Sequence, residues 1–442
     1  MKTFRIGGVH PEENKFSAGS PIQPLEIPAR VFVPLGQNLG VPSKPLVKKG
    51  DTVLAGQLIA TGEAFISASL HSPVSGKVDK IEEYIDASGY RRPAVMIEVS
   101  GDEWDPSVDR SAEIKKDIVL TQDEIVQKIK DMGIVGLGGA TFPTHVKLMV
   151  PQGKRAEYLL INAVECEPYL TSDHQLMMEK TDEILIGIRI LMKALGVSKA
   201  LVGIENNKPD AIEKMRSAAS AYPGISVHAL KVKYPQGGEK QLIKALVNRE
   251  VPSGKLPLEV GCVVQNVGTA FAVYEAVQKN KPLVERIVTV TGRNITQPSN
   301  FLVRIGTPVS LLLEKAGWQP EKAGKVINGG PMMGKALSSI EVPVVKGTSG
   351  ILVLNNDESW RDKVQNCIRC AQCVKACPMG LEPYLLARVS ELMMFDQAEA
   401  GRILDCIECG SCQYTCPSAR PLLDHIRLGK NKVNHILRTR KQ

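Results

Sequence analysis

Cys367-x2-Cys370-x2-Cys373-x3-Cys377-Pro378 decides the fold of the C-terminal region, and the same spacing recurs as Cys406-x2-Cys409-x2-Cys412-x3-Cys416-Pro417. This is the bacterial spacing for two [4Fe–4S] clusters, in which the fourth Cys of each run ligates the other cluster. We therefore expect one cluster on Cys367, Cys370, Cys373 and Cys416, and the other on Cys406, Cys409, Cys412 and Cys377. Two structural zinc sites are the alternative, but zinc sites use two Cys pairs at a larger separation. The spacing predicts a protein that handles electrons.

The composition is that of an ordinary soluble protein, with 442 residues, 43% hydrophobic and 23% charged. This length predicts two to four domains. Only Cys166 and Cys262 lie outside the two runs, so no disulfide framework is expected, and clusters favour the reducing cytoplasm. The start of the chain lacks the apolar region of a signal peptide. The most apolar helical stretch, residues 184–197, is too short to span a bilayer, so we expect no transmembrane segment.

The formal net charge of +8 is unevenly placed, because the C-terminal tail is strongly basic. Its cations are Arg427, Lys430, Lys432, Arg438, Arg440 and Lys441, and its apolar residues are loosely helical in spacing. Three interpretations stay open: a solvated end, a dock for an acidic partner or anionic membrane face, and nucleic-acid binding. No aromatic residue interleaves these charges, which disfavours single-strand binding.

The first 110 residues read as short β segments between Pro and Gly residues. Within them, residues 47–53 (VKKGDTV) and 71–78 (HSPVSGKV) resemble the two halves of a biotinyl/lipoyl-type hammerhead, a barrel-sandwich fold. A carrier domain needs a Lys on the hairpin between these halves. No Lys lies between Lys49 and Lys77, and Phe65 stands near the required position. We expect a structural or docking module with this fold rather than a carrier.

From Thr121 the pattern changes to strands alternating with helices, including one long helix over 173–195. This alternation predicts an α/β unit with a mostly parallel sheet. Polar and Gly-rich segments follow its strands, where open α/β sheets bind ligands. These segments are residues 162–168 (NAVECEP), 234–240 (YPQGGEK) and 265–269 (QNVGT). The loop 136–143 (GLGGATFP) follows a helix, so it does not fit the ordinary dinucleotide fingerprint, although its glycines suit close approach to a phosphate.

Together, these four segments resemble the flavin-binding subunit of respiratory NADH dehydrogenase. The resemblance implies that FMN and NADH are held by Gly136, Gly138, Gly139, Phe142, Lys147, Asn162, Glu165, Cys166, Glu167, Gly238, Glu239, Lys240, Gln265 and Asn266. Phe142 is expected near the nicotinamide or adenine ring. Glu167 is expected to accept hydrogen bonds from a ribose hydroxyl, which would favour NADH over NADPH. Leu137, Thr141, Val164 and Lys240 depart from the family pattern.

The order of hammerhead, flavin motifs and two cluster runs is similar to that of the RnfC family, a component of the Rnf ferredoxin:NAD oxidoreductase complexes, over residues 1–425. This resemblance implies a multidomain α/β and α+β protein. Its expected parts are a hammerhead-like β domain (1–115), a Rossmann-like FMN/NADH domain (116–254), a soluble-ligand-binding β-grasp module (255–354) and a two-[4Fe–4S] ferredoxin-like domain with a basic tail (355–442).

The function implied by this resemblance is electron transfer between NAD(H), FMN, two [4Fe–4S] clusters and a ferredoxin-like iron–sulfur subunit. The chain would bind peripherally to other subunits at the cytoplasmic face of the cell membrane, in a complex that translocates ions. The cofactors would carry the chemistry, so no catalytic acid or base is expected. One alternative is a cobalamin reductase of the propanediol-utilisation type. Another is a non-catalytic electron-relay scaffold with a vestigial flavin site, which the departures at Leu137 and Lys240 keep open.

Three further features suggest chemistry but are better explained otherwise. Residues 329–335 (GGPMMGK) match the spacing of a phosphate-binding loop, yet Ala336 replaces the magnesium-binding hydroxyl and Pro331 removes an amide donor, so a β-turn is expected. His145 and His174 lack partners at metal-ligand spacing, and we expect them to pack or face solvent. Cys166 lacks a paired His and is expected to line the flavin site rather than act as a nucleophile.

Overall fold

The computed structural model describes residues 1–440. The N-terminal β module consists of two antiparallel sheets, ordered β2-β8-β7-β4 and β3-β5-β6. Valine, isoleucine and leucine side chains from both sheets form its core. Its strands are β2 (Arg30–Pro34), β3 (Lys44–Pro45), β4 (Thr52–Val53), β5 (Leu58–Thr61), β6 (Leu70–His71), β7 (Ser75–Ile85) and β8 (Arg91–Gly101), preceded by β1 (Ile22–Pro24). The sheets confirm the barrel-sandwich prediction, and Phe65 is exposed between β5 and β6.

The α/β unit is built on a four-stranded sheet in which every pair of neighbours is parallel. Its strands are β9 (Tyr158–Asn162), β10 (Ala200–Glu205), β11 (Ile225–Leu230) and β12 (Cys262–Asn266), in the order β11-β10-β9-β12. The order reverses between β9 and β12, which makes this crevice the topological switch point where such sheets bind ligands. Because β12 pairs with β9 over its whole length, the sheet extends past the predicted domain boundary at residue 254.

Seven helices surround this sheet and bury aliphatic side chains against it. They are α1 (Gln122–Asp131), α2 (Thr144–Leu148), α3 (Ser172–Glu179), α4 (Thr181–Leu195), α5 (Pro209–Ala219), α6 (Glu239–Val247) and α7 (Val267–Gln278). The long helix expected over 173–195 is therefore wrong, because it is broken at Lys180. The Thr181 hydroxyl donates to the Met177 carbonyl at 2.6 Å, and such a bond four residues back competes with the main-chain ladder and bends helices.

The third module is a six-stranded sheet with the order β1-β14-β13-β17-β15-β16. Its elements are β13 (Glu285–Thr291), β14 (Ser299–Arg304), α8 (Val309–Lys315), β15 (Ala323–Asn328), β16 (Lys335–Ala336), β17 (Gly350–Asn355) and α9 (Asn356–Ser359). β1, from the N-terminal region, pairs in parallel with β14. β15 and β16 form an antiparallel hairpin, so residues 329–334 are its turn, and no helix follows as a phosphate-binding loop would require.

The C-terminal domain is helical around its cysteines, with α10 (Gln372–Ala376), α11 (Pro383–Glu391), α12 (Phe395–Ala400), α13 (Ser411–Tyr414) and α14 (Leu422–Thr439). The basic tail is mostly α14, which buries Leu422, Ile426 and Val433. Several of its cations form ion pairs within the chain, and Arg427 and Lys430 both bind Glu408. Lys432 and Arg438 are exposed, and Lys441 lies outside the described residues. Among residues 1–440, no helix is long and apolar enough to cross a membrane.

Candidate functional site

The switch point of the parallel sheet carries amide side chains on both flanking strands. Asn162 ends β9 and Asn266 ends β12. The side-chain amide of Asn266 donates to the main-chain carbonyl of Asn162 at 3.4 Å. The Asn162 amide donates to the Gly237 carbonyl at 2.8 Å, which draws the second Gly turn to the same edge. Gln265, beside Asn266, is buried and neither polar atom of its amide has a partner. Three of the predicted segments therefore meet at one sheet edge.

The first Gly loop lies against the end of β12. A Cβ atom on Gly138 would fall 2.8 Å from the Asn266 amide nitrogen, so only glycine fits this approach. A Cβ atom on Gly139 would meet no protein atom within 4 Å, so this residue borders open space. The loop is fixed by a 3.0 Å hydrogen bond from the Leu137 amide to the Thr269 hydroxyl, and by the Gly136 amide, which donates to the Phe142 carbonyl at 2.9 Å.

A buried arginine that sequence reasoning missed lies beneath this loop. The Arg286 guanidinium donates to the Leu137 carbonyl at 3.3 Å and to the Thr348 carbonyl at 3.2 Å. Burial lowers the pKa of Arg286 to about 10, while the charge of Asp173 opposes this shift, so the group stays cationic near neutral pH. Arg286 lies in β13 and carries no motif, so its placement depends on long-range packing. It supplies positive charge to a loop whose glycines suit a phosphate.

The second Gly turn leads into α6 and contacts the loop after β9. The Gly237 amide donates to the Cys166 sulfur at 3.3 Å, and a Cβ atom on Gly237 would lie 3.2 Å from that sulfur. Burial raises the pKa of the Cys166 thiol, so the thiol is not an ionised nucleophile. Lys147, from α2, bridges the Glu239 carboxylate at 3.0 Å and the Val264 carbonyl at 3.1 Å. Gly238 and Lys240 lie at the start of α6, on the same turn.

One of two carboxylates near this edge binds the start of α3, and the other belongs to that helix. Glu165 accepts hydrogen bonds from the main-chain amides of Asp173, at 2.7 Å, and His174, at 3.1 Å. Asp173 accepts from the Asn266 amide at 2.7 Å, which ties α3 to the switch point. Burial, followed by the nearby charge of Glu165, raises the pKa of Asp173. His145 is buried, in agreement with the prediction of packing, whereas His174 forms a 3.0 Å hydrogen bond with the Asp210 carboxylate that the sequence did not indicate.

Glu167 contacts the turn of the β15–β16 hairpin. Its Oε1 accepts from the Met333 amide at 2.7 Å, and Oε2 is buried without a hydrogen-bond partner. Burial raises the pKa of Glu167 to about 7. The predicted ribose contact would therefore need Oε2 to become accessible. No local pattern indicates this long-range contact, because Glu167 and Met333 belong to different modules.

A lysine that belongs to no sequence motif donates hydrogen bonds to the main chain of the loop after β9. The Lys15 ammonium donates to the carbonyls of Glu165, Glu167 and Leu170, at 3.0, 2.9 and 2.6 Å. The neighbouring main chain adds a 2.8 Å bond from the Tyr169 amide to the Glu13 carbonyl. The N-terminal segment thus holds the loop that carries three of the predicted site residues.

These residues fit a flavin mononucleotide. The glycines leave open space beside the main chain, Arg286 and Lys147 provide positive charge, and the Gln265 amide is a buried polar group that lacks partners within the protein. Burying such a group without hydrogen bonds is costly, so it favours a polar ligand. Phe142 is half-buried next to the same loop.

One of the two expected crossed groups of cysteines shares a pocket in the C-terminal domain. Cys377 lines one pocket with Cys406, Cys409 and Cys412, although it belongs to the other run. Cys373 and Cys416 belong to one packed cluster of side chains, which also contains Cys377, Cys406 and Cys412.

Cysteines from both runs line one pocket of the C-terminal domain. Cys377, Cys406, Cys409 and Cys412 share this pocket with apolar side chains such as Leu381 and Ile426. Four thiolates drawn from two runs of this spacing are the donor set of a [4Fe–4S] cluster.

The two candidate cofactor sites share one packed group of side chains. Buried Val9, Tyr234, Ala376 and Cys409 contact one another, and Cys166 packs against them. Tyr234 and Cys166 belong to the sheet edge, whereas Ala376 and Cys409 belong to the C-terminal domain. The pocket that contains Cys409 therefore lies next to the candidate flavin site.

Known proteins share this organisation. The C subunit of a proton-translocating ferredoxin:NAD(+) oxidoreductase complex from Clostridium ljungdahlii is 46% identical over 90% of this chain and 87% of its own length. The corresponding protein of a Na(+)-translocating complex from Acetobacterium woodii is 43% identical over 98% of this chain and 97% of its own. The chain belongs to this RnfC family. A third member, from an ion-translocating oxidoreductase complex of Rhodobacter capsulatus, is 42% identical over 87% of this chain and 75% of its own.

Family models divide this RnfC-type chain into four parts. Residues 2–102 match the RnfC barrel sandwich hybrid domain, 129–275 the Nuo51 FMN-binding domain, 287–336 the SLBB domain and 359–417 a 4Fe-4S dicluster domain. An NAD+-reducing [NiFe]-hydrogenase in the air-oxidized state has a similar fold, with a TM-score of 0.51 and 18% identity over 72% of this chain and 67% of that one. The predicted fold class is confirmed, and the family replaces the cobalamin reductase alternative.

Proposed function

We propose that this chain is the flavo-iron–sulfur subunit of a membrane-associated ferredoxin:NAD oxidoreductase complex, passing electrons between NAD(H), FMN and two [4Fe–4S] clusters. FMN, when bound, exchanges a hydride with nicotinamide and single electrons with one-electron centres. The observation that carries the proposal is the shared packing of Tyr234, Cys166 and Cys409, which joins the sheet-edge site to the pocket of Cys377, Cys406, Cys409 and Cys412.

The proposed flavin site uses the residues at the switch point. Gly136, Gly138 and Gly139 would face the phosphate, with Arg286 and Lys147 as the nearby cations. Asn162, Gln265 and Asn266 would hydrogen-bond the flavin, and Cys166, Gly238, Glu239 and Lys240 would border it. Phe142, Glu165 and Glu167 would contact the nicotinamide nucleotide. The protein's part in the reaction is to bind, orient and exclude water, since no side chain needs to act as acid or base.

The cluster of Cys367, Cys370, Cys373 and Cys416 is proposed as the exit for electrons. Cys367 and Cys370 are exposed, and Ile368 between them is 68% exposed. Arg369 and Lys375, within the same run, and Lys363, just before it, are also exposed. A partner with an acidic rim around its own cluster would complement this surface. We propose that it is a ferredoxin-like iron–sulfur subunit, and that this chain binds peripherally at the cytoplasmic face of the cell membrane.

A pair of glycine variants tests the flavin site. Gly139→Val adds a Cβ atom that meets no protein atom within 4 Å, so the fold should be retained while FMN loses its space beside the loop. We expect at least tenfold weaker FMN binding, enough for the purified variant to retain no FMN, with both clusters present. Gly36→Val is the matched control, because a Cβ atom there meets only Pro42 at ordinary contact distance in the N-terminal β module. Equal FMN affinity in Gly139→Val and Gly36→Val would contradict the site.

The reaction itself separates an enzyme from a relay scaffold with a vestigial flavin site. Full-length protein, reconstituted with iron, sulfide and FMN, should lose its flavin absorbance when NADH is added without oxygen. The Gly139→Val variant should show no such change although its clusters respond to dithionite. A wild-type protein that retains FMN and both clusters but does not respond to NADH would support the scaffold instead.

A further inference from the structure

Tyr234 lies between the two cofactor sites. It immediately precedes the turn of residues 235–240, which the proposed function places beside the flavin. Its side chain is only 2% exposed and packs against Ala376 and Cys409 of the C-terminal domain. The ring therefore lies at the boundary that electrons must cross if the proposed function is correct.

Hydrogen bonds fix this tyrosine on both sides. Its hydroxyl donates to the Cys409 carbonyl at 2.8 Å. Its main chain exchanges two bonds with Val9, at 2.8 and 2.9 Å, and the adjacent Gly8 amide donates to the Ala376 carbonyl at 2.9 Å. Residues 8 and 9 thus contact both Tyr234, which leads into the turn beside the proposed flavin, and the end of α10.

We propose that Tyr234 is a positioning residue that holds the Cys409 loop against the flavin turn and raises the reduction potential of the cluster on Cys377, Cys406, Cys409 and Cys412. This inference rests on the proposed function for its role in the reaction. Cluster potentials depend on nearby hydrogen bonds, charge and exposure. The hydrogen of the Tyr234 hydroxyl points at the Cys409 carbonyl and places partial positive charge next to the cluster. This charge stabilises the reduced cluster, which carries one more negative charge than the oxidised cluster. The neighbouring cluster, whose cysteines include the exposed Cys367 and Cys370, has no such donor from Tyr234.

Redox titration of the full-length reconstituted protein, followed by EPR with dithionite as reductant, tests this role without NADH. Tyr234→Phe keeps the ring and removes the hydroxyl. We expect the reduced-to-oxidised ratio of the Cys409 cluster to fall at least threefold at a given potential, which is about 30 mV for one electron. The other cluster should be unchanged. Tyr274→Phe is the matched control, since Tyr274 is also buried and its hydroxyl accepts from the Lys115 amide.

Replacing Tyr234 with a fluorinated tyrosine provides a second probe, because fluorine makes the hydroxyl a stronger donor. It should shift the same cluster in the opposite direction, and it keeps the test decisive if Tyr234→Phe loses that cluster. Unchanged potentials in either variant with cluster content retained, or equal shifts of both clusters, would overturn the inference. If the wild-type flavin ignores NADH but Tyr234→Phe still shifts one cluster selectively, the proposed function fails while the effect of Tyr234 on the cluster stands.

Discussion

The carboxyl group of Glu167 makes the stability of the protein depend on pH in a predictable direction. Burial raises its pKa from 4.5 to about 7, although hydrogen bonds from the amides of Met333 and Met332 oppose the shift. An acid whose folded pKa lies above its unfolded pKa binds an extra proton in the folded state. Its contribution to stability is therefore full below about pH 4.5 and is lost as the pH rises toward 7. The full shift corresponds to roughly 3 kcal/mol, which partial exposure of the residue would reduce.

Glu167→Gln removes the ionisation and keeps an oxygen to accept from the Met333 amide. At about pH 5 the variant and wild type should have similar free energies of unfolding, and at about pH 8 the variant should be more stable by roughly 1–3 kcal/mol. Urea unfolding of the full-length protein, monitored separately at each pH, measures this difference. Glu26→Gln, at an exposed glutamate, is the control and should show no comparable change.

A difference in stability between Glu167→Gln and wild type that is independent of pH would refute a raised pKa for Glu167. A wild type that becomes relatively more stable above neutrality would refute it too, because the folded protein would then prefer the charged carboxylate. Either result would indicate that the hairpin turn at Met333 leaves Glu167 open to solvent.

Three further predictions concern the cofactors. Lys15→Met removes the donor to three carbonyls, so we expect unfolding to cost about 3 kcal/mol less and FMN to bind at least tenfold more weakly, as urea unfolding and fluorescence titration would measure. Cys377→Ala should abolish the EPR signal of the cluster on Cys406, Cys409 and Cys412 and retain the other signal; the opposite pattern would refute the crossed ligation. NADH should be oxidised with a higher kcat/KM than NADPH above about pH 7, where Glu167 is ionised, because the carboxylates of Glu165 and Glu167 would repel the 2′-phosphate of NADPH; equal efficiencies would contradict this.

Local patterns predicted the parts of the molecule whose chemistry depends on short spacing. The two Cys runs indicated their crossed partners, because in this spacing the fourth Cys, just before a Pro, ligates the other cube. The strand-end segments predicted a site at the sheet edge, since parallel strands present their carboxyl ends together. Neither inference needed knowledge of contacts between distant residues.

Contacts between modules were not predictable in this way. Lys15 holds the loop after β9, Arg286 holds the first Gly loop, and Tyr234 holds the Cys409 loop. No local pattern assigns these contacts to the three residues. Each acts across more than a hundred residues of sequence, and one sequence does not show which distant carbonyl a donor will reach. The break at Lys180 was missed for a related reason, because the apolar periodicity continues through it and the bond from Thr181 to Met177 leaves no pattern.

Electron transfer from the clusters to NAD+ tests the central claim most directly. Full-length reconstituted protein would be reduced with dithionite, freed of excess reductant and mixed with NAD+ without oxygen, and NADH formation would be followed by absorbance. The wild-type protein should form NADH as its cluster EPR signals disappear. Gly139→Val, with its clusters equally reduced, should form none. NADH formation at the same rate in both proteins, or none in a wild type that holds FMN and both clusters, would contradict the account.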